Sequence, residues 1–199
     1  FPWLSARETY IGIAPVIVMA VSFSGEDAIE IHVPNASLYN AYRSLRAAGD
    51  PHGLALLGAL AVESMRLEKG FLHWKADILT EFDPFETGLE RFVRRNKGDF
   101  IGKAALNGRE PTGELRMFTI ESTSAAAQPG ASVMQNGTVV GTVTSGGWGH
   151  RTGRNIAYAF LKPGVLETSG ALAIDVLGDL VAVTPLSEPL YDPEMTLLR

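Results

Sequence analysis

Residues 131–147, "ASVMQNGTVVGTVTSGG", set the reading of the second half of the chain. Asn136-Gly137 lies between two runs rich in valine and threonine, and both residues tolerate the positive φ angles of a two-residue hairpin turn. On either side, "ELRMFTIE", "NIAYAFLKPG", "GALAIDVLG" and "LVAVTPLSEP" are short, β-rich and bounded by turn residues. Gly178-Asp179 adds a weaker hairpin signal. Several strands at this spacing predict a small antiparallel barrel or sandwich. The character changes after "NGREPTG", so one domain is expected over 1–112 and a β-rich second domain over 113–199.

The first part mixes periods. Ile11 to Val33 reads as two strands around "SFSGED". Alternation there puts Ile29, Ile31 and Val33 on one face and Ala28, Glu30 and His32 on the other. A carboxylate held between two isoleucines faces either water or a ligand, and the pattern leaves both open. Asn35 is placed to cap a helix ending at Gly49, with Leu38, Ala41, Tyr42 and Leu45 as its apolar stripe. A second helix is expected from Gly53 to Gly70. Its apolar first half should be buried, and its second half, carrying Glu63, Arg66, Glu68 and Lys69, should turn toward solvent or a site. "FLHWKADILTEFDPFETG" reads as an ordered loop, and "GDFIGKAALNG" as a helix capped by Asp99 and ended near Gly108.

The 199 residues are 46% hydrophobic and 20% charged, which is ordinary for a soluble α+β protein with a real core. No apolar run approaches the ~20 residues of a membrane helix. With no cysteine, disulfides, thiolate metal sites and cysteine nucleophiles are excluded, and a reducing compartment such as the cytoplasm fits. The formal net charge is -5, shared as 12 basic against 14 acidic residues over 1–112 and 5 against 8 over 113–199, so no nucleic-acid partner is expected. His32, His52, His73 and His150 show no metal-binding spacing, and no G-x-S-x-G elbow is present. "TSGGWGHRTGRN" matches no phosphate-loop pattern and reads as a β-turn, although Arg151 and Arg154 offer weak attraction for an anion. Arg94, Arg95 and Lys97 read as a solvated face or a seat for a polyanionic tail. The acidic pairs Glu26-Asp27 and Asp83/Glu86 cannot be joined into a site by spacing alone.

Five stretches in order, "FSGEDAIEI", "ALAVESMRLEKGFLHWKADI", "KGDFIGKAAL", "GTVTSGGWG" and "EPLYDPEMTLLR", resemble the aminomethyltransferase family, the T-protein of the glycine cleavage system. "FPWLSARE" and "RLEKGFLHW" resemble a sub-branch, the folate-binding tail of dimethylglycine and sarcosine dehydrogenases. The resemblance implies the later portion of a folate-binding α+β domain, then a C-terminal β-barrel. It also implies one-carbon transfer from a methylamine-type donor to tetrahydrofolate, with FAD only where an upstream oxidase domain exists. By the same resemblance Glu30 accepts the amino-pyrimidine edge of the pterin, and Phe23 stands where a tyrosine is usual, keeping the ring and losing the hydroxyl. Val62 replaces an arginine of the glycine cleavage T-proteins, and Lys75 a glycine of the Trp74–Asp77 loop.

The family's catalytic aspartate belongs to a part of the fold absent from this sequence, so no residue here inherits that role. The apolar start "FPWLSARETY", without an initiator methionine, suggests a piece of a longer polypeptide. The expected partners are therefore folate, the amine donor and the missing N-terminal half or an upstream domain. A eukaryotic version would sit in the mitochondrial matrix. The competing readings are a non-catalytic folate-binding scaffold, a fragment of an FAD-dependent dimethylglycine or sarcosine dehydrogenase, and a nucleic-acid barrel, which the acidic balance disfavours.

Overall fold

The computed structural model describes residues 1–122 and 124–198; Arg199, which ends the stretch "EPLYDPEMTLLR", lies outside them. The first unit is an antiparallel sheet of β1 (Ala6–Ile11), β2 (Ala14–Met19) and β3 (Glu30–His32), in that order. The apolar run from Ile11 thus splits between two strands. The fold-back falls at Gly12, whose φ is +60° and whose absent Cβ would lie 2.6 Å from Ser44 Oγ. A side chain there is refused on both counts.

One face of this sheet packs on α1 (Leu38–Gly49), through Ala14, Val16 and Ala41 with Ile11, Val18, Ile31 and Val33 around them. Asn35 opens a 3₁₀ turn, Asn35–Ser37, and does not cap α1 directly. Of the expected helical stripe only Ala41 is buried; Leu38, Tyr42 and Leu45 are exposed.

The second helix is shorter than expected, and its burial is reversed. α2 covers Ala59–Glu68, and Leu54, Leu56, Leu57 and Leu60 ahead of and within its first turn are exposed, Leu60 by 87%. Its charged end is buried instead, Arg66 completely. Burial there follows mutual neutralisation, because a charge leaves water only when paired and hydrogen-bonded. The expected ordered loop holds no helix or strand, and α3 (Lys103–Asn107) starts after Gly102, three residues later than Asp99 as a cap would place it.

The rest is a closed antiparallel barrel. Its strands are β4 (Glu114–Ile120), β5 (Ser132–Gln135), β6 (Thr138–Gly149), β7 (Arg154–Leu161), β8 (Leu172–Val176) and β9 (Asp179–Leu186). The circular order is β4-β7-β6-β5-β8-β9, and β9 pairs back onto β4, which leaves no free edge. The interior is filled by alternate side chains, among them Phe118, Val133, Val143, Ala157 and Ile174. Asn136 and Gly137, at φ +51° and +76°, make the expected β5–β6 turn. The β8–β9 turn falls one residue earlier than the sequence suggests, at Leu177-Gly178, where Asp175 Oδ1 accepts the Gly178 N–H at 2.7 Å.

Gly146 marks where a neighbouring segment presses on β6, since a Cβ there would sit 2.2 Å from the Ala127 carbonyl oxygen. Gly146→Ala is therefore expected to lose about 1–3 kcal/mol. A urea-denaturation midpoint equal to wild type would show that the contact yields freely.

Candidate functional site

Two clusters carry the polar chemistry. The first is the outer face of the N-terminal sheet, turned away from α1. Strand register sets Ala6, Met19 and Glu30 in one row and Glu8, Ile17 and His32 in the next. Glu30 opens β3, its side chain 48% exposed, and its Oε2 lies 3.2 Å from His32 Nε2. Among the described residues its Oε1 has no partner. His32 of this pair, but not Glu30, lines a groove of about 770 Å³ together with Glu8, Tyr10, Pro15 and Ile17. The arrangement offers a carboxylate acceptor at the margin of an apolar shelf.

The second cluster joins α2 to the barrel. Arg66 Nη1 donates to Asp77 Oδ2 at 2.5 Å and to the Phe71 carbonyl at 3.1 Å, Nη2 to Ser145 Oγ at 2.8 Å, and Nε to Glu63 Oε1 at 2.9 Å. Asp77 Oδ1 accepts from Thr144 Oγ1 at 2.5 Å and Ser145 Oγ at 2.6 Å. Adjacent strand residues normally point to opposite faces. Here a register shift between Val143 and Ser145 turns both hydroxyls toward the same carboxylate.

Other charges on α2 brace the surroundings. Glu68 Oε1 accepts the N–H groups of Arg151 and Thr152 at 2.8 and 2.7 Å, closing the β6–β7 turn of the glycine-rich stretch. Buried Lys69 pairs with Asp192 of the C-terminal segment and lies 5.3 Å from the Tyr191 ring. Arg151 pairs with Glu26 and sits over the same ring at 4.5 Å. The hydrogen bonds from Lys69 and Thr196 hold the Asp192 carboxyl well below the usual carboxylate range.

Phe23 meets this second cluster. Its ring stands edge-on to His73, 5.1 Å between centroids, and His73 Nδ1 lies 3.7 Å from Glu63 Oε2. Among the described residues no hydrogen bond, ion pair or ring contact joins Phe23 to Glu30, the two residues the resemblance places on one ligand. Lys75 holds φ +67°. The loop therefore keeps a backbone suited to the glycine it replaces, at a cost of roughly 1–2 kcal/mol.

Asp83 and Glu86 form a buried unit that braces the entry into the barrel. Asp83 Oδ1 accepts the Glu86 N–H at 3.1 Å while Glu86 Oε2 accepts the Asp83 N–H at 2.8 Å, the reciprocal pattern of a capping box. Glu86 Oε1 also accepts the N–H groups of Thr112 and Gly113, at 2.6 and 2.9 Å. Arg94, Arg95 and Lys97 remain exposed, Arg95 lying over the Phe85 ring at 3.8 Å. No group of three or more metal-ligating side chains occurs among the described residues, and no described helix is long and apolar enough to cross a membrane.

The chain thus joins an α+β unit to a six-stranded barrel through a buried arginine–aspartate tie. Residues 1–97 match the family model of the GCVT N-terminal domain, and residues 114–192 that of the glycine cleavage T-protein C-terminal barrel domain. The chain belongs to the glycine cleavage T-protein family.

Its relatives include dehydrogenases and aminomethyltransferases. It is 29% identical to mitochondrial dimethylglycine dehydrogenase of Mus musculus, over 100% of this chain and 23% of that protein. It is 30% identical to an aminomethyltransferase of Cutibacterium acnes, over 89% of this chain and 48% of that one. The chain thus spans about half of the aminomethyltransferase and about a quarter of the dehydrogenase. The crystal structure of glycine cleavage system aminomethyltransferase T from Bartonella henselae superposes with a TM-score of 0.80 at 23% identity, covering 97% of this chain and 54% of that one. This likeness confirms the α+β fold with its terminal barrel.

Proposed function

We propose that this chain is the folate-side part of a one-carbon transferase, in which a methylene group carried on an amine passes to tetrahydrofolate. The observation that carries the reading is Glu30, a half-exposed carboxylate fixed at the head of β3 with one oxygen unpartnered among the described residues, whose other oxygen meets His32 at the wall of the neighbouring groove. The donor set suits the ring. A pteridine edge presents an N–H and an NH2 side by side, and a carboxylate accepts both. The groove wall of Tyr10, Pro15 and Ile17 provides apolar surface for a flat heterocycle. Bound tetrahydrofolate would supply two nitrogen nucleophiles. Glu30 orients, and β3 gives it a rigid base.

Glu30→Gln keeps the size of the side chain and replaces one acceptor oxygen by a donor. The expected result is a loss of about 1.5–3 kcal/mol, or roughly 10- to 150-fold, in the affinity of the full-length polypeptide for tetrahydrofolate. Equal isotherms for mutant and wild type would remove Glu30 from the site.

The unpartnered apolar surface supports a second part of the reading. Ile13, Leu56, Leu57 and Leu60 are all more than half exposed, as is Tyr39. We assign this surface to the remainder of the T-protein fold, which would also contribute the catalytic aspartate. An FAD-bearing domain belongs to the proposal only in the dehydrogenase-like version.

A further inference from the structure

We propose that a pocket between the barrel and the C-terminal segment binds a small uncharged carbonyl compound, an apolar ketone, ester or amide, whose oxygen accepts the Tyr158 hydroxyl. The pocket has a volume of about 440 Å³, within the range of small-molecule sites. Three parts of the chain supply its apolar lining: Met117 on β4, Phe71 and Leu72 after α2, and Pro189 and Met195 near the C-terminus. It shares no lining residue with the groove at His32, and the inference stands apart from the function proposed above.

Tyr158 carries the argument. Alternation along β7 turns Ala157 and Ala159 into the barrel and sets Tyr158 on its outer side with Ile156 and Phe160, opposite Met117 of β4. Tyr158 is only 5% exposed. A tyrosine hydroxyl so placed usually has a partner. Among the described residues this one makes no hydrogen bond, although the Tyr158 carbonyl accepts from Thr144, and the oxygen is not sealed within protein. It lies where Gly70, another lining residue, leaves room: a Cβ there would stand 3.6 Å from it. Burial, and then the Asp77 carboxylate, push the hydroxyl up against the opposing effect of Arg66, so it keeps its proton and offers a donor.

The charges around the pocket select a neutral ligand. Arg91, Arg116 and Glu188 also line it, but Arg91 and Glu188 are exposed, and Arg116 is 40% exposed and paired with Glu114. No fully buried cation waits for a carboxylate, so an anion drawn down to Tyr158 would lose its hydration without an equal return. A cation would meet a donor where it needs an acceptor. A carbonyl on an apolar body takes the hydrogen bond and covers the apolar walls at once. The C-terminal wall is already in place, because the Tyr191 N–H donates to the Glu68 carbonyl at 3.1 Å and Asp192 pairs with buried Lys69. A wall fixed beforehand reduces the ordering cost of binding.

The probe is 4-phenylbutan-2-one labelled with ¹³C at its carbonyl, titrated into the full-length polypeptide. Wild type is expected to bind it with a dissociation constant of about 5 mM or tighter. The carbonyl resonance should move downfield on binding, as it does when the oxygen accepts a hydrogen bond. Tyr158→Phe removes only the unpartnered oxygen, so its denaturation midpoint should equal that of wild type. It should bind the ketone about 3- to 10-fold more weakly, without the downfield shift. The anion 4-phenylbutanoate, similar in size, should bind wild type at least about 5-fold more weakly than the ketone does. Equal affinity and equal shift in wild type and Tyr158→Phe overturn the proposal, as does tighter binding of the acid or no saturable binding at all. A Tyr158→Phe protein that unfolds more readily overturns it too, because the hydroxyl then has a partner within the protein. Displacement of the ketone by tetrahydrofolate would overturn it by giving the pocket to folate.

Discussion

Asp77→Ala is expected to destabilise the protein by about 3–5 kcal/mol, because it leaves the buried Arg66 guanidinium with only the partly exposed Glu63 as counter-charge. Arg66 and Asp77 are both wholly inaccessible to solvent, and Asp77 additionally satisfies two hydroxyls of β6 and the His73 N–H. Removing the carboxylate therefore takes one of two counter-charges from Arg66, strands three donors and loosens α2 from the barrel. The size of the loss measures the cost of an orphaned charge and says little about the net worth of the pair. Pairing Asp77→Leu with Arg66→Met should recover more than half of the loss, since an apolar pair strands no charge. Chemical-denaturation midpoints of the three proteins decide it. A fall below about 1 kcal/mol for Asp77→Ala would mean that water reaches the guanidinium, and the tie would not be what joins α2 to β6.

Glu86→Ala is expected to cost about 3 kcal/mol or more, because the N–H groups of Asp83, Thr112 and Gly113 all lose a charged acceptor in a buried setting. The same carboxylate predicts an acid limb. Burial pushes the Glu86 carboxyl up, but the backbone N–H groups of Asp83, Thr112 and Gly113 and the Thr112 hydroxyl outweigh it and hold it below the ordinary value. With the folded value depressed, its contribution is complete above the ordinary carboxylate pKa of about 4.3 and is lost as pH falls through the folded value. The stability of wild type should therefore fall more steeply than that of Glu86→Ala below that pH. Parallel pH–stability curves for the two proteins would contradict this.

The barrel was legible because its signals are local. Asn136-Gly137 can make one kind of turn cheaply, and the flanking runs alternate with the period of a strand. The reversal along α2 was not legible from composition. Leu54 to Leu60 read as buried because leucine usually is, yet this surface finds no cover among the described residues. The "ESMRLEKG" end reads as turned toward solvent or a site, because its charges taken singly give no partner for one another. Its burial depends on Asp77, eleven residues beyond Arg66, and on Ser145, seventy-nine beyond, brought together by a bulge that no periodicity announces.

Asp83-x-x-Glu86 was readable in principle. Its spacing is that of a capping box, and attention to reciprocal side-chain-to-backbone bonding would have marked it as structural. Family resemblance carried what physics alone did not, the assignment of Glu30 and Phe23 to a ligand. Their separation into two clusters, one on the sheet face and one beside His73, appears only in three dimensions.

The proposed contact with folate is made by the Glu30 carboxylate. In the full-length polypeptide with ¹³C-labelled glutamate side chains, the Glu30 carboxyl resonance, assigned by its absence in Glu30→Gln, should shift on addition of tetrahydrofolate and saturate with the binding isotherm. Saturable binding that leaves this resonance in place would contradict it.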